Sequence, residues 1–295
     1  MTEIFGVPTQ ALFGQLLIGL INGSFYALLS LGLAVIFGLL NIINFTHGAQ
    51  YMLGAFLAFL LLTKAEVGYW WALLIAPIVV GATGVVIERL LLSKPYKLDH
   101  LYGLLLTFGL ALIIQGVFRN VYGSSGQPYQ IPPQLQGGQN LGFMFLPNYR
   151  AWIIVASLVV CLSTWYVIER TKLGSYLRAA TENPQLVQAF GVNVPRMITL
   201  TYGFGVGLAA LAGVMAAPIY QVSPQMGADL IIVVFAVVVI GGMGSIMGSI
   251  VTGFGLGLIE GLTKVFYPEA SNTVIFVIMA IVLLLKPAGL FGTQK

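Results

Sequence analysis

Apolar residues recur in long blocks along the 295-residue chain: 12–40, 48–63, 70–87, 101–118, 151–168, 197–220, 229–240, 246–262 and 273–285. A helix that crosses a bilayer needs about 20 residues, within a range of roughly 17–25. Block 12–40 exceeds one untilted crossing and reads as one long helix or two short ones. Blocks 229–240 and 273–285 fall short of a full crossing. The pattern predicts an all-α, polytopic integral membrane protein with about eight to ten transmembrane helices, some short or broken, in a single transmembrane domain over 1–295.

The polar interruptions carry the second layer of information. Within 169–196, Asn183-Pro184 reads as an N-cap followed by Pro at the first helical position, and Gly191 sits where the helix would end. The piece between places Leu186, Val187 and Phe190 on one stripe and Gln185 and Gln188 on another. A two-turn helix is marginal in water by itself, so either the membrane surface or a soluble partner must receive the apolar stripe. Coupling to a cytosolic machine is the expectation. A second interruption holds Asn41, Asn44, Thr46 and His47, continued by Gln50 and Tyr51, with Asn22, Ser24 and Tyr26 on the preceding run. Such groups either line a cavity or path through the bilayer, or belong to a loop at its interface. Thr107 and Gln115 are further candidates for such a path, although a lone Thr or Gln in a span is more often a helix–helix hydrogen bonder. Glycines four apart (Gly203/Gly207, Gly244/Gly248, Gly253/Gly257/Gly261) predict tight internal packing or, alternatively, a face for a second membrane subunit. Gly241-Gly242-Met243-Gly244-Ser245 predicts a turn between crossings.

Composition agrees with the pattern: 58% of residues are hydrophobic and 7% charged, against about 25% charged in ordinary soluble domains. The placement of the basic residues adds direction to the net charge of +4. Arg89, Lys94, Lys97, Arg170, Lys172, Arg178, Arg196, Lys286 and Lys295 fall on one side if crossings alternate from residue 70. The positive-inside rule then puts 88–100, a coupling segment 169–196 and the C-terminus in the cytosol, with a loop 119–150 outside. The start of the chain lacks the basic flank of a cleaved signal peptide, so the first span should persist. Asp229 and Glu260 are read as interfacial, and no row of carboxylates suggests ion coupling. Nucleic-acid binding is a poor reading of the charge, and neither a metal nor a cofactor is expected. Cys161 is alone, the two histidines form no HExxH, and there is no G-x-S-x-G or P-loop, which argues against catalysis and against ATP hydrolysis by this chain.

At this point a resemblance can be read. Asn22-Gly23-Ser24-Phe25-Tyr26-Ala27, Ile43-Asn44-Phe45-Thr46-His47-Gly48 and Tyr51-Met52-Leu53-Gly54 resemble the N-terminal signature of branched-chain amino-acid ABC-transporter permeases. Gly174 through Gly191, with Arg178-Ala179 and Gly191-Val192-Asn193, and Gly241–Ser245 agree with it in the same order. The chain looks like the shorter of the two permease subunits. Thr46 stands where a small residue such as Ala is also common, which leaves the assignment intact. The resemblance implies a heterodimer with a second related permease, two cytosolic ATP-binding subunits and an external (periplasmic) substrate-binding protein, in the cell inner membrane. It also implies that Gly174–Gly191, including Arg178, Ala179, Glu182, Asn183, Pro184, Leu186, Val187, Phe190 and Gly191, docks on the ATPase. The substrate stays open among branched-chain and other neutral amino acids, amides or urea. An ATP-independent channel or carrier is the alternative from the residues alone.

Overall fold

The computed structural model describes residues 3–4, 6–40, 44–93 and 100–292. Among them are eleven α-helices: α1 (Thr9–Leu40), α2 (Thr46–Ala65), α3 (Tyr69–Ile87), α4 (His100–Tyr122), α5 (Asn148–Arg170), α6 (Lys172–Glu182), α7 (Pro184–Ala189), α8 (Val194–Ala216), α9 (Met226–Gly241), α10 (Ile246–Phe266) and α11 (Val274–Leu285). Seven (α1–α5, α8 and α10) are long and apolar enough to cross a membrane, while α9 and α11 are shorter apolar helices. The all-α, multi-span reading therefore holds. Block 12–40 lies within one helix of 32 residues, Thr9–Leu40, about 48 Å long at 1.5 Å per residue. That exceeds a hydrocarbon core of about 30 Å, so it must tilt or protrude.

The chain folds as two compact units, one drawn from residues 31–130 and 163–232 and the other from 1–30, 131–162 and 233–295. In the first unit, α8 is largely enclosed and α4 presents most of its surface outward. Backbones approach closely here because the contact positions are small. A Cβ on Gly54 of α2 would lie 2.2 Å from the Ala210 carbonyl oxygen, and one on Gly213 would lie 2.0 Å from that of Tyr51. Gly203 and Gly207 meet Gly81 and Pro77 of α3 in the same way. Around this seam Ile36, Val80, Tyr202 and Val206 form an apolar core.

In the second unit, α10 packs on the first part of α1. A Cβ on Gly257 would lie 2.4 Å from the Gly19 carbonyl oxygen, and the reverse distance is also 2.4 Å. Gly253 and Gly261 meet Ala27 and Gln15, so this glycine row serves internal packing. Gly244 does not belong to such a row: with Gly242 it makes the α9–α10 turn at positive φ (83° and 101°), because that corner needs a left-handed backbone. Ser245 then caps α10, its Oγ accepting from the Gly248 N–H at 3.1 Å. The end of α9 is closed from afar: the Leu290 and Phe291 N–H groups donate to the carbonyls of Ile240 and Gly241 at 2.8 and 3.1 Å. Terminal helix carbonyls need such partners.

Two sequence boundaries shift. Helix α4 runs to Tyr122 and α5 starts at Asn148, so the irregular part of 119–150 is 123–147. It contains a two-stranded hairpin, Gly138–Asn140 against Phe145–Pro147, with Gln139 opposite Leu146. The polar interruption after α1 is also narrower than expected, since Thr46 and His47 already belong to α2.

Candidate functional site

The polar residues of α2 turn inward. Asn44 stands just before the helix; its Oδ1 accepts from the Thr46 N–H at 3.1 Å, and its Nδ2 donates to the Tyr202 hydroxyl at 3.1 Å. Gln50 Nε2 reaches the same hydroxyl at 3.5 Å. The Thr46 hydroxyl donates to the Thr107 carbonyl at 2.9 Å, and the Phe45 N–H donates to the Thr107 hydroxyl at 3.3 Å. Asn44, Thr46, His47, Gln50 and Tyr51 are all buried. The His47 ring packs beside Gly32, where a Cβ would lie 3.0 Å from its Cε1. Two polar atoms of this group, Gln50 Oε1 and the Tyr51 hydroxyl, are buried without a hydrogen-bond partner among the described residues. Asn41 lies outside the described residues.

Tyr202 joins this network from α8, a hub that sequence reading missed. Its signal was faint: Thr199, Thr201 and Tyr202 put polar groups early in a run that otherwise reads as an ordinary crossing. One turn away the Thr199 hydroxyl donates to Glu88 Oε2 at 2.7 Å, burying a carboxylate at the end of α3.

On the opposite edge of α2, Phe45, Gly48, Ala49 and Met52 share one face and line a cavity of about 230 Å³. Phe108, Leu112 and Gln115 of α4 and Gly227 and Ile231 of α9 complete it. Its wall is apolar apart from Gln115, whose amide donates to the Gln225 side-chain oxygen. The Thr107 and Gln115 side chains thus tie α4 to the residues just before α2 and α9.

Asn22 and Tyr26 serve elsewhere. They donate to Glu260 of α10, at 3.2 and 2.7 Å, and Lys264 pairs with the same carboxylate. Glu260 is buried between α1 and α10, where the sequence offered no partner for it. A charge within a packed helix pair survives there because three donors surround it. Ser24 is not part of this group; its hydroxyl bonds back to the Leu20 carbonyl of its own helix at 2.9 Å.

The segment 169–196 contains two short helices where one was expected. Helix α6 buries Gly174, Leu177 and Ala180. Arg178 folds back onto the end of α5, 3.2 Å from Glu169 and 3.3 Å from the Ile168 carbonyl. Helix α7 begins as the sequence indicated: Asn183 Oδ1 accepts from the Leu186 N–H at 2.9 Å, Pro184 follows, and Gly191 at φ 84° ends the motif. The apolar stripe divides, however. Val187 is buried against Ala180 and Val194. Leu186 and Phe190 stay 54% and 80% exposed, and Ala179 and Glu182 also face outward. Val187 therefore anchors α7 to its own chain, since α6 and α8 cover that edge.

Outside the candidate spans, Tyr129 is buried in the 123–147 segment. Burial, with a smaller contribution from Tyr69, pushes its hydroxyl pKa up to about 12. No group of three or more His, Cys, Asp or Glu among the described residues is placed to hold a metal ion.

A family model described as "Branched-chain amino acid transport system / permease component" matches residues 15–283. The chain is 28% identical over 310 residues to the high-affinity branched-chain amino acid transport system permease protein LivH of Escherichia coli (strain K12), across 100% of this chain and 99% of the relative. The corresponding protein BraD of Pseudomonas aeruginosa is 29% identical over 95% of this chain and 96% of its own length. The E. coli permease protein LivM is also 29% identical, over 92% of this chain and 68% of its own length. No solved structure matches the chain.

Proposed function

The chain belongs to the branched-chain amino-acid transport permease family, and from that premise we propose that it is a membrane-spanning permease subunit of an ATP-binding-cassette importer. Its cargo is a branched-chain or other hydrophobic neutral amino acid. A second permease, related as the LivM protein is related to this chain, completes the membrane part. Two cytosolic ATP-binding subunits supply energy and an external binding protein delivers substrate. Residues 169–196 and the C-terminus face the cytosol, and 119–150 faces outward.

The observation that carries this reading is the shape of α7. A capped two-turn helix is pinned through Val187 while Leu186 and Phe190 project unburied. A pinned helix with two free apolar anchors suits a groove on a partner. Arg178, Ala179, Glu182, Asn183, Pro184 and Gly191 position or flank those anchors. For the path, the unpartnered Gln50 Oε1 and Tyr51 hydroxyl are what supports a role for α2. Buried polar atoms are normally paired, and the ammonium of an amino acid supplies donors. Asn22, Tyr26, Asn44, Thr46 and His47 then hold the helices that form the path, with Ser24 bonded within its own helix.

The test is leucine uptake into proteoliposomes that contain this chain with its co-purified partners. Uptake should require ATP inside and the binding protein outside. Uptake by the chain alone, without ATP, would make it a channel or carrier. Uptake of urea or an amide under the same conditions, with none of leucine, would replace the substrate class.

A further inference from the structure

A groove of about 490 Å³ lies where the end of α5, helix α6 and the first three turns of α8 meet. Its walls include Ile168, Leu173, Leu177, Met197, Leu200 and Phe204, with Arg196 at one edge. We infer that this groove holds one acyl chain of an anionic phospholipid whose phosphate lies against Arg196.

Depth argues for lipid. Phe204 is ten residues into α8, about 15 Å along the axis from its start, and both α5 and α8 are membrane-length apolar helices. A soluble partner at the cytosolic surface does not reach that wall. Leu200 and Phe204 remain 61% and 46% exposed on the same face, which suits hydrocarbon.

Charge argues for an anion. Arg178 already has its counter-ion in Glu169. Arg196 forms no ion pair among the described residues, although it lines the groove. Lys172 begins α6, next in sequence to the groove residue Leu173, and Arg170 lies over the Trp165 ring at 5.6 Å. Basic side chains and an amphipathic aromatic ring at the end of a spanning helix mark headgroup level. Acidic headgroups attract such residues by about fivefold in affinity per Lys or Arg.

The experiment uses the full-length chain in liposomes doped with traces of diazirine-tailed phosphatidylglycerol or phosphatidylcholine. After illumination, labelled peptides are mapped by mass spectrometry. Phosphatidylglycerol should label 197–204 and 167–177 about fivefold more than phosphatidylcholine. Arg196→Gln should erase that excess and Arg196→Lys should retain it. Equal labelling by the two lipids in the unaltered chain overturns the inference. So does an excess that survives Arg196→Gln, or the absence of label from both stretches.

Discussion

Replacing Phe190 with Ala separates partner docking from the chain's own stability. The ring is 80% exposed, and a Phe side chain buries roughly 150–250 Å² when enclosed. About 120–200 Å² is therefore available to a partner, a ceiling of about 3–5 kcal/mol at 25 cal/mol per Å². Ordering costs at an interface lower the net loss to about 2–3 kcal/mol, or about 30- to 160-fold in affinity. The chain itself should lose less than about 0.5 kcal/mol, as at other exposed positions. Val187→Ala should behave in the opposite way, because that side chain fills the space between α6 and α8; it should cost on the order of 2 kcal/mol of stability. The assay pairs the thermal unfolding midpoint of the detergent-purified chain with substrate-stimulated ATPase activity of the reconstituted complex. Phe190→Ala should keep the midpoint and lose the stimulation. Full stimulation with full uptake would place the ring on lipid and refute the docking argument. A lowered midpoint would refute the exposure on which the magnitude rests.

Asn44→Leu removes the acceptor of the Thr46 N–H at the start of α2 and one partner of the buried Tyr202 hydroxyl, so it should destabilise by about 1–3 kcal/mol and reduce uptake at equal expression. Unchanged midpoint and unchanged uptake would return this segment to an ordinary loop. Gly257→Leu sets a Cβ against the Gly19 carbonyl at 2.4 Å, whereas Gly255 has nothing within 4 Å. The first should cost at least about 1–3 kcal/mol and Gly255→Leu much less, and equal yields of folded protein from both would contradict the packing described. Tyr129 has a raised pKa in the folded chain, so the unfolded state loses its proton first and stability falls as pH rises from about 10 towards 12. Tyr129→Phe should flatten that alkaline fall in a pH series of unfolding midpoints, and an unchanged slope would show that the hydroxyl is not held neutral by burial.

Much of the fold was legible because its signals are local. Membrane-length apolar blocks, the Asn183-Pro184 start, the Gly191 stop and the glycine turn after α9 depend only on neighbours in sequence. The buried polar groups were legible as residues, but their partners were not. Glu260 looked like a lone acid near a helix end because Asn22 and Tyr26 lie 238 and 234 residues earlier. Asn44 looked like a loop residue or a path residue because its partner Tyr202 sits in an apolar run. Hydrogen bonds of this kind are fixed by which helices pack together, and periodicity carries no record of that choice.

The stripe on α7 shows the same limit within a single helix. At 100° per residue, Leu186 and Phe190 are about 40° apart, and Val187 sits about 60° beyond Phe190. All three fit one face wide enough to be buried by a single partner, and sequence offers no reason to split them. The split comes from the elements on either side. Helix α6 brings Ala180 and helix α8 brings Val194 against Val187, so one edge of the face is already covered by the chain. That assignment makes α7 more capable of transmitting force than a freely docked helix would be. A helix held only by its partner would lift off or follow without resistance. If a partner pulls on Phe190, the packing of Val187 against Val194 is the route by which that pull would reach the start of α8, the helix that carries Tyr202.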